Sequence, residues 1–387
     1  MKNIAVIGSG TMGVGIAQVA LTSNCKVFLF DISENALNKA KNQITQNIDK
    51  LVEKGKITSD QKNQFLQNIH FISSLKELSD IDLVIEAVVE NLEVKKNLFK
   101  EIESIVSDKC ILSSNTSSLS LHSMIKELSH PERFLGIHFF NPAPLMPLVE
   151  VIPTILTNKE ILNTVLNTLK NWNKVTVIAK DTPGFIVNRI ARPFYSEALR
   201  IFEENIADIA TIDWTMKNIG GFKMGPFELM DFIGHDVNYI VTETVWTQMY
   251  FDPKYKPSIT QKRLLEAGLL GRKTGRGFYD YSQPLPTEPT IKDSELHQRI
   301  FMRILSMLIN EAADALYYNI ATKEDIELAM TKGVNYPKGL LHWADELGIP
   351  TIYNELQKLY EYYQEDRYRP SVLLKQKVNS NEKFFNV

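Results

Sequence analysis

Two residues in apolar surroundings carry the clearest chemical potential of this chain. His138 ends the run Phe134-Leu135-Gly136-Ile137, and Glu150 sits within Leu148-Val149-Glu150-Val151-Ile152. A lone histidine in such a run is usually a satisfied core residue, whereas a lone buried carboxylate is costly. Brought together, each would satisfy the other and the imidazole would become an oriented general base. A second signal is the turn Gly8-Ser9-Gly10-Thr11-Met12-Gly13, with Asp31 following 23 positions after Gly8. A third is Ser114-Asn115-Thr116-Ser117-Ser118; a hydroxylated turn and N-cap cluster accounts for it as well as a seat for a substrate oxygen does. Lys50 and Lys54 are four apart and share a helical face, which by spacing alone reads as solvated surface charge. No set of residues reads as a metal site.

The elements that must position these groups follow from periodicity. Ile4-Ala5-Val6-Ile7 reads as a strand entering the glycine turn, a helix carries Ile16, Ala17, Val19 and Ala20, and Lys26–Phe30 is a second strand closed by Asp31. Strand, glycine turn, helix, strand and acid are the context in which such a turn binds a dinucleotide. Gly8 allows the sharp turn, Gly10 lets backbone approach a pyrophosphate, and Gly13 lets helix and sheet pack closely. The helix start offers free N–H groups to phosphate. A carboxylate at Asp31 accepts from a ribose 2′-hydroxyl and repels a 2′-phosphate, so NAD is favoured over NADP. A polar helix from Ser33 to about Lys56 follows, then strands at 69–72 and 83–86, the latter leading to Glu90 just past its C-terminal end, where open α/β sheets bind ligands. A helix from about Leu92 to Val106 carries Lys95, and further strands read at 110–113, 134–138, 148–152 and 175–178. A long helix is predicted to start within Lys180–Arg189, capped by Asp181 or Thr182 with Pro183 in its first turn. Asn188 lies one turn in, facing either solvent or a cleft.

Composition narrows the class. The 387 residues suggest two or three domains, and 44% apolar with 23% charged residues is ordinary for a globular protein. A net charge of −3 argues against a nucleic-acid surface. The two cysteines, Cys25 and Cys110, fit a reducing cytoplasm. Only Lys2 and Asn3 separate Met1 from the first strand, leaving no room for a leader, and no apolar run is long enough to span a bilayer.

Taken together, six signatures resemble the L-3-hydroxyacyl-CoA dehydrogenase family, including short-chain 3-hydroxybutyryl-CoA dehydrogenases: Gly8–Ala17, Glu86–Asn91, Ser114–Leu119, His138–Pro142, Asp181–Arg189 and Gly271–Tyr279. The resemblance covers Lys2 to about Tyr281. It implies an α/β Rossmann-type NAD-binding domain over 1–182 and reversible NAD-dependent oxidation of a 3-hydroxyacyl-CoA to the 3-ketoacyl-CoA. His138 would be the base, Glu150 its anchor, and Ser117 and Asn188 donors to the reacting oxygen. Glu90, Lys95, Ser117, Asn141 and Lys273 would contact NAD along with residues 8–13 and Asp31. Lys50 and Lys54 would bind CoA phosphates, with Ser117 also touching substrate. Rival readings are a sugar-acid or carnitine-type dehydrogenase of the same superfamily, and a catalytically silent NAD-binding structural protein. The second predicts damaged catalytic positions, yet Ser117, His138, Glu150 and Asn188 are all present.

The remainder is helical in pattern, apart from a short run at 277–281, and repeats itself at a shift of 114 without gaps. Glu197-Ala198 falls on Glu311-Ala312, Met216 on Met330, and Gly225, Asp231 and Gly234 on Gly339, Asp345 and Gly348. Two tandem all-α domains result, of the 6-phosphogluconate-dehydrogenase C-terminal kind, at 183–282 and 290–387, joined by a proline-rich linker. Asn188 falls on Met302, which is expected to be core or interface, and the second copy is expected to do no chemistry. It is expected to stand where a twin subunit would, making a monomeric pseudo-dimer, with a homodimer the other possibility.

Overall fold

The computed structural model describes residues 1–385. The chain folds as two compact units, Met1–Asp181 and a second that begins at Thr182.

The first unit is an eight-stranded sheet in the order β3-β2-β1-β4-β5-β6-β7-β8. Its strands are β1 Asn3–Ile7, β2 Lys26–Phe30, β3 Ile69–Ile72, β4 Leu83–Glu86, β5 Ile111–Ser114, β6 Phe134–Phe139, β7 Leu148–Pro153 and β8 Val175–Ile178. All pairings are parallel except β6 with β7. The β1 side chains Ile4 to Ile7 are completely buried, as expected of a strand covered on both faces. Strand order reverses beside β1, between β2 and β4, which is where an open α/β sheet opens a ligand crevice. Helix α1, Thr11–Thr22, begins at the glycine turn, and α2, Glu34–Glu53, is capped by the Ser33 hydroxyl. The predicted helix after Asn91 ends at Glu103, three residues short of expectation.

The second unit departs from prediction at its start. Asp181 does not cap the helix that follows it; its carboxylate instead accepts from Ser120, from the His122 backbone and from the His122 ring, at the start of the short helix Leu121–Ile125. Gly184 and Phe185 have φ of +78° and +47°, so Pro183 sits in a turn. Helix begins only at Val187–Ile190, pauses at Ala191 and resumes as Arg192–Glu203. Pro193 causes the pause, because it lacks the N–H that a continuous helix would donate. The run at 277–281 forms a single isolated bridge, Arg276 to Asp280, rather than a strand.

The repeat is visible in geometry. Asp213 accepts from the N–H groups of Phe227 and Glu228, and Glu327, 114 residues on, accepts from those of Leu341 and His342. Asp231 takes the N–H groups of Phe278 and Tyr279, as Asp345 takes those of Phe384 and Phe385. Gly234 and Gly348 end equivalent helices at φ of +96° and +86°. The copies also exchange charges: Arg189 binds Glu311 at 2.7 Å and Arg303 binds Glu197 at 3.1 Å. Tyr368 adds a hydrogen bond to Glu197, and Tyr255 one to Glu311. These crossed pairs relate the copies as a two-fold axis relates identical subunits.

Candidate active site

In the glycine turn, each glycine is required for a different reason. A Cβ on Gly8, at φ +103°, would stand 2.6 Å from the Ala87 carbonyl oxygen, and one on Gly13 would stand 1.7 Å from the Gly8 oxygen. A Cβ on Gly10 would meet nothing within 4 Å. The protein's own packing therefore has no need of glycine at position 10, and close approach of a ligand does. Ser9 anchors the turn to β2: its N–H and hydroxyl both donate to Asp31 Oδ2 at 2.8 Å, while Ser33 N–H donates to Oδ1. A carboxylate has about four acceptor positions, so one stays available on Oδ1 for a ribose hydroxyl. Partial burial raises the Asp31 pKa, but the Ser9 and Ser33 hydrogen bonds outweigh it and hold the carboxyl below its usual range. These residues fit a dinucleotide lacking a 2′-phosphate.

At the end of β4 a charged chain fixes the serine loop. Glu86, completely buried, accepts from Lys95 Nζ at 2.6 Å, Val88 N–H at 2.7 Å and Ser114 Oγ at 2.6 Å. Lys95, itself 1% exposed, also reaches Glu90 at 3.2 Å. One Glu90 oxygen then gathers Thr116 Oγ1, Ser117 N–H and Ser118 Oγ. Burial raises the Glu90 pKa, yet Lys95 and Thr116 hold it below the usual carboxylate range. The Ser117 hydroxyl has no hydrogen-bond partner among the described residues, so the loop is clamped with that group available. Lys95 is thus enclosed in an ion-pair chain. Sequence reasoning named Glu86 only as a strand end; the signal for its role was an acid closing an apolar run.

His138 and Glu150 do meet. The antiparallel register of β6 and β7 sets them opposite each other, and Nδ1 lies 2.7 Å from Glu150 Oε2. Both are buried, His138 at 5% and Glu150 at 0% exposure. A carboxylate at Nδ1 assigns the proton there and makes Nε2 the basic nitrogen. Phe140 packs on the ring at 4.6 Å, and Asn115 Oδ1 accepts from Phe139 N–H, tying the serine loop's strand to the histidine's strand.

Beside the glycine turn a cavity of about 630 Å³ runs along α2 to Asn141 and the segment 142–145. Lys39, Gln43, Asn47, Lys50 and Lys54, one helical face, line it, and none of the lining residues is acidic. Lys50 and Lys54 thus line a cavity, and Lys39, unanticipated, lines it with them. Lys174 braces the far wall by donating to the carbonyls of Ala143 and Met146, and burial pushes its pKa down to about 8. Asn141 is exposed at the cavity edge. In the second unit, Asn188 is half-buried, as is Met302 at its repeat position, and Lys273 pairs with Asp236 at 2.6 Å.

Comparison with known proteins decides the family. The 3-hydroxyacyl-CoA dehydrogenase NAD-binding domain matches residues 3–182, and the C-terminal domain of the same family matches 184–281 and 300–383. The chain belongs to the 3-hydroxyacyl-CoA dehydrogenase family. It is an NAD-dependent oxidoreductase acting on 3-hydroxyacyl-CoA. It is 35% identical to the 3-hydroxyadipyl-CoA dehydrogenase of Escherichia coli over 98% of both chains. It is 43% identical to a probable 3-hydroxybutyryl-CoA dehydrogenase of Deinococcus radiodurans, over 71% of this chain and 99% of that one. The crystal structure of an E. coli 3-hydroxybutyryl-CoA dehydrogenase superposes with a TM-score of 0.93 at 34% identity, covering 98% of this chain and 99% of that chain. Among the described residues, no helix is long and apolar enough to cross a membrane.

Proposed function

We propose that the chain interconverts short-chain L-3-hydroxyacyl-CoA and 3-ketoacyl-CoA thioesters, with His138 as the base. The observation that carries this is the buried His138–Glu150 pair at 2.7 Å. His138 Nε2 takes the 3-hydroxyl proton, while Glu150 holds the ring and stabilises the imidazolium. Ser117 Oγ and the Asn188 amide donate to the oxygen that becomes a carbonyl. NAD supplies the hydride acceptor. Gly10, Asp31, Glu90, Asn141 and Lys273 bind it, with Lys95 setting Glu90. The all-basic charge of the α2 wall supports a CoA thioester over a free sugar acid or carnitine, because CoA brings several phosphates to it. The second helical copy replaces a twin subunit, giving a monomer, and the two buried free cysteines suit a reducing cytoplasm.

The test is NADH oxidation with acetoacetyl-CoA, wild type beside His138→Ala. Removing a general base costs about 10²- to 10⁴-fold in kcat. The variant should lose activity on that scale and still bind NADH. A wild type that binds NADH but is inert with acyl-CoAs would overturn the substrate; an active His138→Ala would overturn the base.

A further inference from the structure

Among the described residues of the helical unit, one buried arginine has no acid to neutralise it. The unit's other buried arginines all have carboxylates: Arg189 with Glu311, Arg303 with Glu197 and Glu204, Arg367 with Glu365. Arg192, 4% exposed, has none. Its Nε donates to the Asn188 carbonyl at 2.9 Å, and its Nη1 to Thr242 Oγ1 at 2.9 Å and the Asn238 carbonyl at 3.4 Å. Its guanidinium lies 4.9 Å from the Tyr195 ring. Those bonds use three of five N–H groups. The remaining two, on Nη2, have no acceptor among the described residues, and that nitrogen is not fully enclosed. The titratable groups facing it are the phenols of Tyr195 and Tyr336, both kept neutral by burial, and the Tyr336 hydroxyl is buried without a partner among the described residues.

A buried charge without a counter-charge is costly, and packing does not demand this one. The repeat sets Ser306 at the equivalent place, so the same helix pair closes around a small side chain in the second copy. What distinguishes the first copy is Asn188, four residues before Arg192, whose Nε donates to the Asn188 carbonyl.

We propose that Arg192 recognises a carboxylate at the far end of the acyl chain, so that dicarboxylic 3-hydroxyacyl-CoA substrates are taken ahead of equally long chains ending in methyl. The inference rests on the reading that Asn188 holds the C3 oxygen. The chain then runs along the helix, and its terminal carboxylate accepts from Nη2 and the Tyr336 hydroxyl. A purely structural arginine, tying the carbonyls of Asn188 and Asn238, needs only the three bonds already made and predicts no discrimination between substrates.

The experiment compares kcat/KM for NADH-dependent reduction of 3-oxoadipyl-CoA and 3-oxohexanoyl-CoA, with acetoacetyl-CoA as reference, in wild type, Arg192→Met and Arg192→Lys. A hydrogen bond to a charged group corresponds to about ten- to a hundredfold in preference. The wild-type ratio of adipyl to hexanoyl should reach that range, collapse toward one in Arg192→Met and stay above one in Arg192→Lys. A wild-type ratio near one, with acetoacetyl-CoA reduced normally, overturns the role of Arg192 and leaves the reaction intact. An unchanged ratio in Arg192→Met also overturns it, as does an equal loss on both substrates. If the methionine variant does not fold, the wild-type ratio and the lysine variant still decide. A wild type inert with all three thioesters removes the parent reading and this one together.

Discussion

Replacing Gly10 by alanine separates ligand binding from folding more cleanly than any other change in the first unit. The residue has φ −69° and ψ −174°, extended backbone that any amino acid adopts, and a Cβ there has 4 Å of open space. Alanine should therefore leave folding intact, or stabilise it by about 0.4–1 kcal/mol by restricting the unfolded chain. The new methyl would occupy the space a pyrophosphate needs. Forcing a methyl into a closely fitted contact costs about 1–3 kcal/mol, so the Kd for NADH should rise about five- to over a hundredfold. Gly13→Ala is the control with the opposite signature. Its Cβ would sit 1.7 Å from a backbone oxygen, which cannot swing away as a side chain can, so the first unit should unfold at lower temperature. The assay is NADH fluorescence titration and thermal melting on the same preparations. Gly10→Ala binding NADH with wild-type affinity, or Gly13→Ala melting like the wild type, would refute the reasoning.

Two further outcomes are expected. Lys95→Met leaves Glu86 fully buried without its cation; breaking such a pair costs about 3–5 kcal/mol, and urea unfolding should show it. A loss below about 1 kcal/mol would mean that Val88 N–H and Ser114 Oγ suffice for Glu86. Sedimentation of the full chain at micromolar concentration should give a monomer, because the crossed pairs Arg189–Glu311 and Arg303–Glu197 already make within one chain the contacts of a two-fold interface. A tight dimer would overturn that assignment.

Much of the first unit was legible because its signals are local. Strand, glycine turn, helix and acid all lie between Ile4 and Asp31, and the alternation of buried runs fixed all eight strands to within a residue or two. The meeting of His138 with Glu150 was legible as a need rather than a contact, since only the register of β6 on β7 decides which residues face each other. The start of the second unit was misread for a specific reason. Thr182 and Pro183 are good helix-start residues, but Gly184 and Phe185 take positive φ, and a preference for N1 proline cannot anticipate a turn set by tertiary packing. The chain from Glu86 through Lys95 to Glu90 was also hidden, because its members come from a strand end, a helix and a loop whose proximity no spacing rule expresses. Arg192 carries no local signal at all: what marks it is the acid that three-dimensional packing fails to bring.

The repeat shows which of these features answer to folding and which to chemistry. Residues that hold backbone or cross-pair charge persist in both copies: Arg189 and Arg303, Glu197 and Glu311, Asp231 and Asp345, Gly234 and Gly348. Asp213 became Glu327 and still accepts from the two N–H groups at the start of the following helix. Outside those pairs the copies diverged: Asn188 to Met302, and Arg192, despite its bonds to the Asn188 and Asn238 carbonyls, to Ser306. Both lie on the segment that continues from the nucleotide-binding unit in the first copy, whereas the second copy follows a linker. The second copy thus retains the buried salt bridges but has a thioether where the first has an amide and a hydroxyl where it has a guanidinium. On that comparison Arg192 falls with Asn188, among the positions that the shared scaffold does not need, which is what the proposed substrate role of Arg192 expects.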